Sequence, residues 1–143
     1  MSCKALLYVT NTSPVTLTLT AQQPSATLEL GTVRRRFGRN IQLSGNGILL
    51  EGEGYYKPDV TVTITAATAG VYTMQLYQDG VAVPGAMQSV TAAADDVISF
   101  SFPAADRLQC CSSSSTLTLA LTTTAALPVT VTQNNVGVVV EKK

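Results

Sequence analysis

The chain has 143 residues, enough for one domain with a real core, and its nine basic and nine acidic residues cancel. Zero net charge argues against a dedicated binder of nucleic acid or of a membrane surface, and a hydrophobic content of 45% argues against disorder. Charged residues make up only 13%, about half the usual share, so part of the surface is expected to lie against other subunits rather than water.

The chain opens with MSCKALLYVTNT, which has one Lys and too short an apolar run for a signal peptide. No stretch approaches the roughly 20 apolar residues of a membrane-spanning helix, so folding in a cytoplasm is expected. Val15, Leu17 and Leu19 then alternate with Thr16, Thr18 and Thr20. Leu28 and Leu30 flank Glu29, and Ile41 and Leu43 flank Gln42. The longest alternation places Tyr56, Val60, Val62 and Ile64 on one side and Lys57, Asp59, Thr61, Thr63 and Thr65 on the other. Such a period of two is what a strand with one buried face requires. A second strand, VYTMQLYQDG, follows from Val71 and ends in the turn signal Asp79-Gly80. Further alternations centre on Ile98, Phe100 and Phe102, on Leu117, Leu119 and Leu121, and on Val129 and Val131.

Turn residues separate these runs, among them Asn46-Gly47, Pro84-Gly85, Asp95-Asp96 and Leu127-Pro128. Their spacing is that of an all-β fold, a jelly-roll β-sandwich of two antiparallel sheets with eight to ten strands. A single domain over 1–143 is expected, with N-terminal strands and a basic segment over 1–39 and the core sandwich over 40–143.

In the last strand Val136, Val138, Val139 and Val140 place apolar groups on both faces, the pattern of a strand covered on both sides. The outward residues of the central strands are a mixture of Tyr and small polar groups, suited to a subunit interface. The expected interface is Tyr55, Tyr77, Thr61, Thr63, Thr73, Gln75 and Val139. The alternative is a solvated, Thr-rich face.

The chain has no histidine, which removes the commonest general base and metal ligand. Glu51 and Glu53 could face one another as a carboxylate pair, but a solvated strand face explains them as well. Asp95-Asp96 falls short of the oxygens calcium needs, and Cys110-Cys111 lacks the further ligands zinc needs. An odd number of cysteines, Cys3, Cys110 and Cys111, is no disulfide framework, and reduced thiols are expected. Neither catalysis, a cofactor nor a metal is expected. Arg34, Arg35, Arg36 and Arg39 form a basic cluster that can grip an anion or an acidic partner. Intersubunit pairing with Glu51, Glu53, Asp95 or Asp106 is the favoured reading. Phe37-Gly38 is read as an anchor that seats the adjoining loop.

Gly54-Tyr55-Tyr56 leading a long strand, the following VYTMQLYQDG and the final VGVVV resemble the globular heads of the tumour necrosis factor and complement-head superfamily. The set MSCKALLYVTNT, VRRRFGRNI, GYY, LYQDGVAVPGA, CCSSSS and a Val-rich end is also similar to small proteins encoded near capsid genes in phages and prophages of gut Firmicutes. That resemblance implies a jelly-roll homotrimer with a virion-associated role, as head decoration or fibre component, assembled in the bacterial cytoplasm. The implied partners are the chain itself and capsid or other virion proteins. The alternative function is a trimeric module that binds a host receptor or surface glycan through loops Ser44–Gly47, Asp79–Gly85 and Cys110–Ser115 at one end.

Overall fold

The computed structural model describes residues 4–108 and 114–142. Its strands are β1 (Ala5–Asn11), β2 (Val15–Leu19), β3 (Ser25–Thr27), β4 (Thr32–Phe37), β5 (Ile41–Ser44), β6 (Gly47–Glu51), β7 (Gly54–Ala66), β8 (Gly70–Gln78), β9 (Val81–Ala92), β10 (Asp96–Pro103), β11 (Asp106–Leu108), β12 (Ser114–Thr123) and β13 (Val129–Lys142). Thirteen strands are more than the eight to ten expected. The short ones, such as β3 and β11, carry too few residues to show an alternation.

The strands form two antiparallel sheets. One has seven strands in the order β10-β7-β13-β1-β4, with β11 alongside β7 and β2 alongside β13. The other has six in the order β5-β6-β12-β8-β9, with β3 alongside β12. Consecutive strands β7 and β8 therefore lie in different sheets, and the first strand β1 sits between β13 and β4.

Why the sheets stack follows from the alternation. Val60, Val62 and Ile64 of β7, Phe100 and Phe102 of β10, and Leu7 and Val9 of β1 all point inward and are buried. They meet Tyr72, Met74 and Leu76 of β8, Leu117, Leu119 and Leu121 of β12, and Ile48 and Leu50 of β6 in one core. Removing each such side chain from water contributes about 1.5–3 kcal/mol.

The last strand holds the fold's main irregularity. Gln133 pairs with Ile64, but the next pair along the ladder is Asn135 with Thr63. Asn134 is the extra residue of a β-bulge, and its amide donates to Thr65 Oγ1 at 2.7 Å. Before the bulge the odd residues Val129, Val131 and Gln133 point inward. After it the even residues Val136, Val138 and Val140 do so. All four valines of the final run lie after the bulge. Val136, Val138 and Val140 face the core and Val139 faces outward, so the run is apolar on both faces, with Val139 its one outward member.

Gln133 is fully buried. Its Nε2 donates to the Glu29 carbonyl at 2.7 Å and its Oε1 accepts from the Glu29 N–H at 3.2 Å. This amide takes the place of a ladder rung for the segment after β3, where Leu28 and Leu30 are buried without belonging to a strand. At the far end of the same sheet, the Tyr56 hydroxyl donates to the carbonyls of Glu51 and Gly52, both at 2.8 Å. Burial, then the nearby Glu51 carboxylate, raises the phenol above its ordinary pKa, which keeps it a donor.

The Asp79-Gly80 signal is a two-residue hairpin loop between Gln78 and Val81, with φ of 52° and 81°. Positive φ at both positions matches the twist of the flanking strands. The Asp79 carboxylate is tied to β12, accepting from the Ser115 hydroxyl and the Thr116 N–H, both at 2.9 Å.

Candidate interaction surface

The seven-stranded sheet presents an outward face organised in cross-strand rows. One row runs Asp59, Val139, Tyr8, Arg35 across β7, β13, β1 and β4. The row below it runs Lys57, Glu141, Leu6, Phe37, and the row above it Ser101, Thr61, Gly137, Thr10, Thr32. Leu6, Tyr8 and Val139 are half-buried, and Phe37 is 62% exposed. At the foot of β7, Tyr55 is 59% exposed and the Arg107 guanidinium lies 5.4 Å from its ring centre, within cation–π range.

A hollow of about 280 Å³ opens in the middle of this face over Gly137. Gly137 forms part of its floor, where a Cβ would lie 3.8 Å from the Tyr8 ring, in ordinary contact. Tyr8, Thr10, Asp59, Thr61, Asn135 and Val139 line it. Among the described residues, none of the polar side chains lining it makes a hydrogen bond within the chain.

The expected interface divides between two faces. Tyr55, Thr61 and Thr63 on β7 and Val139 on β13 share the outward face of the seven-stranded sheet. Tyr77, Thr73 and Gln75 lie on β8, in the six-stranded sheet, whose outward face is on the opposite side of the sandwich. Alternation told which residues point away from the core, but not which sheet carries them. Gln75 is in addition committed internally. Its Nε2 lies 2.9 Å from the Val83 carbonyl and 3.2 Å from that of Ala86, bracing the Pro84-Gly85 irregularity of β9. Thr73 Oγ1 is 2.7 Å from Ser89 Oγ on the neighbouring strand.

Arg34, Arg35 and Arg36 lie on the extended edge strand β4, all exposed, with Arg39 in the turn that follows. Among the described residues none of the four is ion-paired; Arg35 Nη1 donates back to the Arg34 carbonyl at 2.9 Å. Phe37 seats no loop: it stands opposite Leu6 with most of its ring in water. The loops read as a ligand-binding end also diverge. β6 runs back along β12 from Leu117 to Ser114, so the turn before Gly47 lies on the Thr118 side. The Asp79-Gly80 turn, bonded to Thr116, points towards Ser114. Cys3, Cys110 and Cys111, with Ser112 and Ser113, fall outside the described residues.

Sequence reading passed over Leu6, Tyr8 and Gly137. The signal was available in β1, where Ala5, Leu7 and Val9 alternate with Leu6 and Tyr8, apolar on both sides without a bulge between them.

Asp106 lies where β11 meets the foot of β7. Its Oδ1 accepts the Arg107 N–H at 2.9 Å, and its buried Oδ2 has no partner among the described residues. Burial raises its pKa, the Arg107 amide lowers it, and the Asp79 carboxylate raises it further.

Two antiparallel sheets in this strand order, with β13 and β7 as the central pair, define a tumour necrosis factor-like jelly roll. The whole chain superposes on solved structures of that fold. Murine APRIL at pH 5.0 aligns with a TM-score of 0.71 at 9% identity, covering 99% of this chain and 100% of that one. Eiger TNF from S. frugiperda gives 0.58 at 12% identity, over 98% and 91%. The vertex protein P5 of phage PRD1 gives 0.61 at 16% identity, over 97% of this chain and 72% of that one. No protein-family model matches the chain, and no curated protein matches it in sequence. At these identities the shared property is the fold.

Proposed function

We propose that the chain is a non-enzymatic structural protein of phage or prophage origin. In this reading it assembles as a homotrimer through the outward face of its seven-stranded sheet and forms part of a virion, as head decoration or fibre component. The observation that carries the reading is the content of that face. Leu6, Tyr8 and Val139 at the centre of the sheet and Phe37 at its β4 edge form an apolar patch, in a chain with only 13% charged residues. Charged residues stand towards the ends of their rows (Asp59 and Arg35 in one, Lys57 and Glu141 in the other), and a neutral row of Thr61, Gly137, Thr10 and Thr32 lies beside them. Faces of this kind are covered in stable assemblies. An obligate interface hides about 2,000 Å² or more per pair of subunits. In a three-membered ring each copy contributes to two such interfaces, so it would lose about a quarter of its 7438 Å² surface. Similarity in fold to the PRD1 vertex protein supports the placement in a virion.

Light scattering after gel filtration tests the assembly. The expected mass is about 45 kDa, three copies of 15.0 kDa. Val139→Lys is expected to give a folded monomer, while Thr73→Lys on the opposite face leaves the trimer intact. A wild-type monomer with native circular dichroism at micromolar concentration overturns the reading, as does the reverse pattern of the two variants. Immunodetection of the chain in purified particles tests the virion role, and its absence from them overturns that role.

A further inference from the structure

Resting on that reading, we propose that the hollow over Gly137 is a receptor for a guanidinium, and that its occupant is Arg35 of a second copy of this chain. The chemistry of the hollow selects a cation with several hydrogen-bond donors. Asp59 supplies a carboxylate, Tyr8 an aromatic ring, and Thr10, Thr61 and Asn135 side-chain oxygens, none of them bonded within the chain among the described residues. A planar guanidinium can lie against the ring while its five N–H groups reach carboxylate and hydroxyl acceptors. The face already holds one such pair in Arg107 over Tyr55.

The chain's own Arg35 cannot fill this role. Asp59 is three strands away from it, through Val139 and Tyr8. At about 4.8 Å per strand that is roughly 14 Å, about twice the reach of an arginine side chain, and the Arg35 guanidinium is turned back on its own strand. Lys57 is on the same face of β7, but its direct cross-strand neighbour is Glu141. Arg35 and Asp59 nevertheless occupy the two ends of one row. Rotation about an axis parallel to the strands keeps each row at its own height. A neighbouring copy therefore brings its exposed β4 edge, and Arg35 with it, level with Asp59. Each copy gives one guanidinium and receives one, a head-to-tail contact that closes into a ring.

A charge-swap cycle tests this by light scattering and sedimentation over a range of concentrations. The variants are Asp59→Arg, Arg35→Asp and the two combined, with circular dichroism and thermal unfolding to show that each is folded. Wild type is expected to associate. Each single reversal should weaken association at least about tenfold, and the double variant should recover most of the loss. Should a reversal fail to fold, Asp59→Asn and Arg35→Gln read the same contact and are expected to weaken association in the same direction. Association that ignores both reversals, or a double variant no better than the weaker single one, overturns the pairing while leaving the trimer standing. A monomeric wild type overturns the trimer reading, and the pairing with it.

Discussion

Replacing Gln133 by Met keeps the volume of a fully buried side chain but removes both of its hydrogen bonds. The Glu29 N–H and carbonyl lose partners at 3.2 and 2.7 Å. A buried polar group left unpaired costs about 1–3 kcal/mol. Glu29 is itself exposed, so water reclaims part of that loss. Leu28 and Leu30, both buried, contribute about 1.5–3 kcal/mol each to keeping the segment docked, so the strap stays in place. The expected net cost is about 2 kcal/mol. With a urea slope of about 2 kcal/mol/M, the midpoint should fall by about 1 M. Urea titrations followed by circular dichroism, at equal protomer concentration because association shifts apparent stability, supply the measurement. Gln133→Glu should cost more, since it sets a carboxylate oxygen against the Glu29 carbonyl where an N–H had been. Faster amide exchange at Leu28 and Leu30 should accompany both changes. A midpoint shift of Gln133→Met below about 0.2 M, or a Gln133→Glu variant as stable as wild type, would refute the reasoning.

Two further outcomes follow from single residues. The Asp106 carboxyl, raised above its ordinary 3.8 mainly by burial, binds its proton more tightly in the folded than in the unfolded chain. Its contribution to stability is therefore greatest at acid pH and falls as pH rises from about the ordinary carboxylate value through the raised one. Asp106→Asn should abolish that component of the pH profile and leave the protein more stable relative to wild type above the window than below it; an unchanged difference across the window contradicts this. Gly31 has φ of 82°, and a Cβ there would collide with the Thr10 carbonyl and Asn11. Gly31→Ala should cost more than the roughly 1–3 kcal/mol of a strained backbone alone. Gly45→Ala, at φ 59° with open space around it, should cost about 1–2 kcal/mol; equal losses in thermal unfolding would count against the collision.

Much of the sandwich was legible because Thr and Val alternate so regularly. In β7 and β12 each inward residue could be assigned from the period alone, and Asp79-Gly80 named its own turn type. The interface was only half legible. Alternation places Thr61 and Thr73 alike on an outward face, yet β7 and β8 are neighbours in sequence that belong to opposite sheets, and pairing partners far along the chain decide this. Gln75 looked free because its acceptors, the carbonyls of Val83 and Ala86, become available only through an irregularity in β9. The hollow left no mark in the sequence, since a glycine in a strand says nothing about which aromatic ring will lean over it.

The extra residue at Asn134 also limits how this strand's length can change. With the bulge kept, deleting one residue on either side of it would turn the remainder of β13 by half a period against β7, sending Val136, Val138 and Val140, or Val129 and Val131, out into water. Deleting Asn134 itself would not, because Gln133 and Val136 then stand two apart in a regular strand and both stay inward. A single-residue change compatible with this fold should therefore fall at the bulge, and changes elsewhere in the last fourteen residues should come in even steps.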